Sequence, residues 1–267
     1  MPIHVCLAGA TGWAGSALAR AIATTDDIVL TAAVARRAAG QRLGAVLGEP
    51  RLDCLVYATA AEALAQPCDV FFEYTKPDMA KANVLAALDR GCHVVIGTSG
   101  LSDDDYAEIA TAAQAAGRGV LAVGNFALTA VLLQKFAEVA ARYIAQWEII
   151  DYARDTKPDA PSGTARELAA RLGRIRAAEL TVPLEATKGV PATRGARLNG
   201  MQVHSVRLPG YTIALEVVFG MPDQRLTIRH DAGASAEPYV AGALLAIRRV
   251  SGLVGLHRGL DSVLELE

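Results

Sequence analysis

The stretch that most constrains this chain is its start. Residues 3-IHVCLA-8 form a short apolar run fit for a buried parallel strand. A glycine-punctuated turn, Gly9-Ala-Thr-Gly12-Trp-Ala-Gly15, then leads into the helix-like SALARAIATT. The GxxGxxG spacing is a variant of the GxGxxG fingerprint. Its glycines permit a tight turn, close approach of a pyrophosphate, and close packing of helix on strand. Gly9, Thr11, Gly12, Trp13 and Ala14 are therefore candidate cofactor-binding residues at a helix N-terminus.

The second strand reads 28-IVLTAAVA-35. In dinucleotide folds, an acid that holds the ribose hydroxyls stands about 20 residues past the glycines. That position is Ala35 here, and Arg36 and Arg37 follow. A carboxylate would repel a 2′-phosphate, whereas guanidiniums attract one. NADPH is the expected cofactor, with NADH possible. Asp26 and Asp27 precede the strand and lie at its wrong end.

Apolar runs recur at 69-DVFFEYT-75, 93-HVVIGTSG-100 and 119-GVLAVGNF-126, with helical stretches at 78–90 and 103–116 between them. This alternation predicts an α/β, Rossmann-type doubly wound parallel sheet. Ligands of such sheets bind beyond the carboxyl ends of the strands. That adds Thr75, Gly97, Thr98, Ser99, Gly124, Asn125 and Phe126 as cofactor candidates; small residues let a nicotinamide approach the backbone, and Phe126 could pack against it. Lys76 is either a solvated loop lysine or a phosphate contact.

The second half changes character. A helix over 128–143 precedes a strand, 147-WEIIDYA-153. Then comes 153-ARDTKPDAPSGTAREL-168, a lone lysine and a Ser-Gly-Thr turn directly before a helix over 164–177. Such a turn offers backbone N–H groups and a hydroxyl to a carboxylate or phosphate, and Lys157 adds a full charge. Thr164 and Glu167 have capping-box spacing. Residues 181–200 read as a long mobile connection. Strands at 201–208, 211–219 and 224–230 follow with short turns, so a second α+β domain with a mixed, mostly antiparallel sheet is expected. A helix at 238–251 returns to the first domain. The predicted domains are 1–124 plus 238–267 for the dinucleotide and 125–237 for substrate and oligomerisation. His204 and His230 read as structural sheet histidines, Arg207 as a substrate contact or an ion-pair partner, and Glu216 as either an exposed carboxylate or a buried one able to hold a proton.

Composition narrows the partners. A net charge of -2 does not give the electrostatic footprint of a nucleic-acid binder. The 4 cysteines lack any CxxC or Cys/His ligand spacing, which predicts a reduced, cytoplasmic protein with no metal site. No basic-apolar leader precedes the glycine turn, and no apolar run reaches the roughly 18 residues of a membrane span.

On these residues the chain resembles the bacterial dihydrodipicolinate reductase family, which reduces a cyclic dicarboxylate imine with NAD(P)H. The shared motifs are GxxGxxG at 9–15, E-Y-T-x-P at 73–77, GTSG at 97–100, NF at 125–126, K-x-D-A-P-S-G-T-A at 157–165 and V-H-S-V-R at 203–207. The resemblance implies a Rossmann domain plus a mixed sheet, a homotetramer built through the second sheets, and a grip on the substrate carboxylates by Lys157, Ser162, Gly163 and Thr164. It also shows departures. Ala153 and Arg154 stand where the family carries a His-His pair, Glu216 stands where it carries another histidine, and 233-GASAEP-238 replaces an expected Ser-Arg. The proton for the imine nitrogen then has to come from Lys157, Tyr152, Asp155, Glu216 or water. Lys157, Tyr152 and Glu216 are the catalytic candidates. The leading expectation is an NADPH-dependent imine reductase of a divergent branch, acting on a small, carboxylate-bearing cyclic imine. Dihydrodipicolinate reductase activity with a substitute acid, an amine dehydrogenase, and an inactive NADPH-binding regulatory protein are the alternatives.

Overall fold

The computed structural model describes residues 1–265. It divides into two compact units, one of Met1–Leu128 with the stretch that starts at Ala236, the other of Thr129–Ser235. In the first unit the chain runs β1 (Ile3–Ala8), α1 (Trp13–Ile22), β2 (Ile28–Val34), α2 (Leu43–Leu47), β3 (Leu55–Tyr57), α3 (Ala60–Ala63), β4 (Val70–Glu73), α4 (Pro77–Asp89), β5 (His93–Ile96), α5 (Asp103–Ala116) and β6 (Gly119–Ala122). In the second unit it continues through most of α6 (Leu128–Tyr143), then β7 (Gln146–Ala153), α7 (Gly163–Gly173), β8 (Ala196–Leu198), β9 (Met201–Arg207), β10 (Ile213–Met221) and β11 (Gln224–Ala232). It then re-enters the first unit as α8 (Glu237–Arg249) and β12 (Gly255–Arg258).

The first sheet has 7 strands in the order β12-β6-β5-β4-β1-β2-β3, all paired in parallel. Its central strands are apolar along nearly their whole length because helices cover both faces. The strand order reverses direction between β1 and β4, which is where ligands of such sheets bind. The glycine turn sits there for a steric reason. Gly9 has φ 80°, and a Cβ on it would lie 2.3 Å from the carbonyl oxygen of Tyr74, the residue after β4. A Cβ on Gly15 would lie 2.2 Å from the Gly9 carbonyl oxygen. The turn and the first helix are therefore pressed against the ends of β1 and β4.

The second sheet is mixed, in the order β11-β10-β7-β9-β8. Only β7 and β9 pair in parallel; the other neighbours are antiparallel. One face packs Trp147, Ile149, Val217 and Phe219 against Leu133 and Ala137 of α6 and Leu168 and Leu172 of α7. Alternation along β7 turns Glu148, Ile150 and Tyr152 to the other face, where they are only half-buried.

Several local expectations need correction. β3 and β12 complete the first sheet without a marked apolar run, being 3 and 4 residues long. The helix expected over 164–177 is Gly163–Gly173, and its N-cap is Ser162, whose Oγ accepts from the Ala165 N–H at 3.3 Å; Thr164 and Glu167 do not form the cap. The stretch 181–200 is not a bare connection. It carries two short turns of 3-10 helix and β8, and Arg194 pairs with Glu148 at 2.8 Å.

Replacing Gly15 with alanine forces a backbone shift, and overpacking of this kind costs about 2 kcal/mol. Gly15→Ala is expected to lower the thermal midpoint clearly, whereas Gly233→Ala, with open space around its Cβ position, stays within about 0.5 kcal/mol of the parent.

Candidate functional site

Two sets of candidate residues stand in the two units, each assembled by its own sheet. In the first unit, the Gly9 N–H donates to the Val34 carbonyl and the Gly12 N–H to the Gly9 carbonyl, both at 2.9 Å, which shapes the turn. Gly12 is the N-cap of α1 and offers no side chain to the helix, and the first turn of α1 contains no acid. That leaves an uncapped, positively polarised helix end. Beside it lies a cleft of about 400 Å³ lined by Gly9, Thr11, Gly12, Arg36, Arg37, Thr75, Lys76 and Asn83, among others, and by no carboxylate. A glycine cradle, an open helix N-terminus and three cations fit a dinucleotide, and the 2′-phosphate in particular.

The other cofactor candidates are placed differently. Trp13 is 60% exposed and meets Tyr239 of α8 edge-on at 5.7 Å, and Ala14 follows it in the first turn. Gly97 closes β5 through an N–H bond to the Glu73 carbonyl at 2.9 Å, Thr98 is buried, and Ser99 is exposed. Gly124 is exposed, and Asn125 accepts from the Ala127 N–H at 2.9 Å. Phe126, a candidate for packing against a nicotinamide, is only 3% exposed. Its ring packs on Phe72 and Tyr74 at 5.5 and 5.7 Å, so it supports the unit from inside.

In the second unit, the loop between β7 and α7 is clamped from below. Asp151 is 1% exposed, and its Oδ2 accepts from the Ser162 N–H at 2.8 Å and from Arg207 Nη2 at 2.7 Å. Arg207 also donates to the Asp159 carbonyl at 2.8 Å and to the Asp151 carbonyl at 3.2 Å. One guanidinium thus ties β9, β7 and the loop together, with a cis peptide at Ala160-Pro161 between the tied points. Asp151 is a residue that the motif search did not single out; an acid inside the apolar strand WEIIDYA is the signal for it. Arg207 takes the ion-pair role rather than standing free.

The clamp uses the Ser162 N–H, and the cap uses its Oγ as an acceptor, which leaves the hydroxyl hydrogen to donate elsewhere. Gly163 and Thr164 are then the first two residues of a helix whose first turn has no acid. Lys157 is half-buried, and its Nζ lies 2.6 Å from Asp159 Oδ1. The lysine hydrogen bond holds the Asp159 carboxyl below its ordinary range. A carboxylate reaching Lys157 competes with Asp159 for the same ammonium.

Tyr152 and Glu216 belong to the opposite face of β7 from Asp151. Glu216 Oε2 accepts from Arg229 Nη1 at 3.0 Å and from the Tyr152 hydroxyl at 3.3 Å. The Arg229 guanidinium lies over the Tyr152 ring at 4.7 Å. Burial foremost, and then the Glu216 charge, push the Tyr152 phenol up, which makes it a poor acid near neutrality. His204 pairs with Glu148 at 2.7 Å, and buried His230 shares a hydrogen with Thr129 Oγ1 at 2.9 Å; both are structural sheet histidines. Among the described residues no cluster of His, Cys, Asp or Glu is arranged to hold a metal ion, and no helix is long and apolar enough to cross a membrane.

Comparison with known proteins agrees along the whole length. The family model described as dihydrodipicolinate reductase, N-terminus, matches residues 3–126, and that for the C-terminus matches residues 129–264. The 4-hydroxy-tetrahydrodipicolinate reductase of Moorella thermoacetica is 39% identical over 264 residues, covering 98% of each chain. That of Halalkalibacterium halodurans is 36% identical, covering 98% of this chain and all of its own. A dipicolinate-bound dihydrodipicolinate reductase structure from Paenisporosarcina superposes with a TM-score of 0.88 at 28% identity, covering 99% of this chain and 100% of that one. An amine dehydrogenase structure from Mycobacterium smegmatis has a TM-score of 0.70 at 15% identity, covering 100% and 97%, which is a likeness of fold alone.

Removing the guanidinium leaves a buried carboxylate with no counter-charge, a change that typically costs about 3 kcal/mol or more. Arg207→Met is expected to lower the unfolding free energy measured by urea titration by that amount, and the Asp151→Asn/Arg207→Met double variant to recover part of it.

Proposed function

The chain belongs to the dihydrodipicolinate reductase family, and on that premise we propose that it is an NADPH-dependent reductase of the C=N bond in a small, carboxylate-bearing cyclic imine. NAD(P)H-dependent reduction of C=N bonds is the family's chemistry. The observation that supports the finer reading is the clamped loop, which carries Lys157 and leads into a helix whose first turn has no acid. The NADPH preference rests on Arg36, Arg37 and Lys76 lining a cleft without carboxylates.

Reduction of an imine requires a hydride on carbon and a proton on nitrogen. The nicotinamide, when bound, supplies the hydride. Gly163 and Thr164 hold one carboxylate of the substrate by their N–H groups and the Thr164 hydroxyl, which fixes the ring. Lys157 leaves Asp159, grips the acid and serves the nitrogen as proton donor or as the charge that orders a water there. Tyr152 and Glu216 take no part in that step. The resemblance places Ala153 and Arg154 where the family carries histidines, and this favours a second reading, in which the loop is kept for an imine other than dihydrodipicolinate. The amine dehydrogenase alternative has only a fold likeness behind it. An inactive regulatory protein would have no use for the preserved anion grip. Half-buried Ile150, Val206 and Val218 on the uncovered sheet face support a homo-oligomer, a tetramer by resemblance, which light scattering measures directly.

The deciding assay follows NADPH oxidation with dihydrodipicolinate generated in situ, beside a panel of cyclic imines. Rapid turnover of dihydrodipicolinate establishes the family reaction; turnover of other imines alone establishes the second reading; turnover of none defeats the proposal. Lys157→Ala is expected to lower kcat/KM about a hundredfold while NADPH affinity stays put. The Arg36→Ala/Arg37→Ala pair is expected to weaken NADPH about tenfold or more and leave NADH nearly unchanged, which would show as a reversed KM preference.

A further inference from the structure

We propose that Glu73 is a positioning residue for the cofactor, its carboxyl setting the orientation of Thr75 and Asn83 in the cleft wall. The proposal rests on the reading of that cleft as the cofactor's. Glu73 ends β4 at the centre of the sheet and is 0% exposed. Its Oε1 accepts from the Thr75 N–H at 2.6 Å, from the Thr75 hydroxyl, and from the Thr98 hydroxyl at 3.3 Å. Its Oε2 accepts from Asn83 Nδ2 at 2.9 Å. Thr75 and Asn83 both line the cleft.

A carboxylate has only acceptors, so it dictates the sense of every bond made to it. The Thr75 hydroxyl must spend its hydrogen on Glu73 and present lone pairs elsewhere. The Asn83 amide must turn its nitrogen to Glu73, which leaves its oxygen as the free end. Among the described residues no Lys, Arg or His pairs with Glu73. A site built for stability alone would not leave a carboxylate buried without a counter-charge.

Glutamine of the same length changes this polarity. Its amide nitrogen placed against Asn83 Nδ2 sets donor against donor, so Asn83 turns over and its free end becomes a donor. Protonation of Glu73 does the same. Burial pushes the Glu73 carboxyl up, against the downward pull of the Thr75, Asn83 and Thr98 hydrogen bonds. The ionised, binding-competent form is therefore present at higher pH and is lost as pH falls through the raised value. Of the titratable groups nearby, the Cys6 thiol of β1 and the Tyr74 phenol are both pushed up, chiefly by burial, and stay neutral. The cleft's cations, Arg36, Arg37 and Lys76, act in parent and variant alike.

The test is fluorescence titration of NADPH into the parent and Glu73→Gln proteins at about pH 8 and about pH 5.5, with thermal midpoints alongside. A dissociation constant about tenfold weaker in the variant at the higher pH is expected, with the variant-to-parent ratio narrowing as pH falls through the raised Glu73 value. Taking this ratio cancels titration of the cofactor's own phosphate. Equal affinity at the higher pH overturns the role of Glu73 while leaving the cofactor reading intact. A folded parent that binds no NADPH overturns both. If Glu73→Gln does not fold, Asn83→Ala removes the same arm without touching the carboxyl; it is expected to weaken NADPH by a similar factor, and unchanged affinity overturns the proposal.

Discussion

Burying a carboxylate removes its hydration, and something else must then supply donors. Each unit of this protein is organised around one such group. Asp151 is answered by a guanidinium and a backbone N–H, and through Arg207 it pulls the loop of Lys157 down onto β7 and β9. Glu73 is answered by neutral donors only, two of them on residues that line the cleft beside the glycine turn. The first answer fixes backbone; the second fixes the polarity of side chains. Both carboxylates lie near the C-terminal ends of central strands, the ends at which parallel sheets present their ligand sites.

The alternation of β7 sorts the chemistry of the second unit. Residues one apart point to opposite faces, so Asp151 serves the loop while Tyr152 joins Glu216 and Arg229 on the uncovered face. The spacing of these residues in the sequence is compatible with either a shared site or a divided one. The strand's register decides for division, and this puts Tyr152 and Glu216 on the face opposite Asp151, which holds the loop of Lys157.

The glycine turn, the Ala35-Arg36-Arg37 replacement of an acid, and the lysine loop were legible because each is a local pattern with a local physical reason. Gly9 needs a positive φ, two guanidiniums attract a phosphate, and a Ser-Gly-Thr turn opens a helix. The alternation of apolar runs and helices was legible for the same cause, since a buried parallel strand must be apolar on both faces. The cap of α7 was misread because Ser162 and Thr164 both suit that role; the Asp151 bond to the Ser162 N–H anchors the turn at Ser162.

The sequence by itself therefore carried the fold class in its alternation of apolar runs and helices, and the family in its resemblance to known motifs, because both are patterns within short windows. Tertiary structure alone decided which acids are buried and what answers them. Arg207 meets Asp151 across 56 positions of chain, and Thr98 reaches Glu73 across 25. It also decided that Phe126 is core, and that Gly9 must lack a side chain because the Tyr74 carbonyl oxygen, just past β4, lies 2.3 Å from where its Cβ would stand. Hydrogen bonds and steric contacts act over a few ångströms of space, and separation along the chain does not fix that distance.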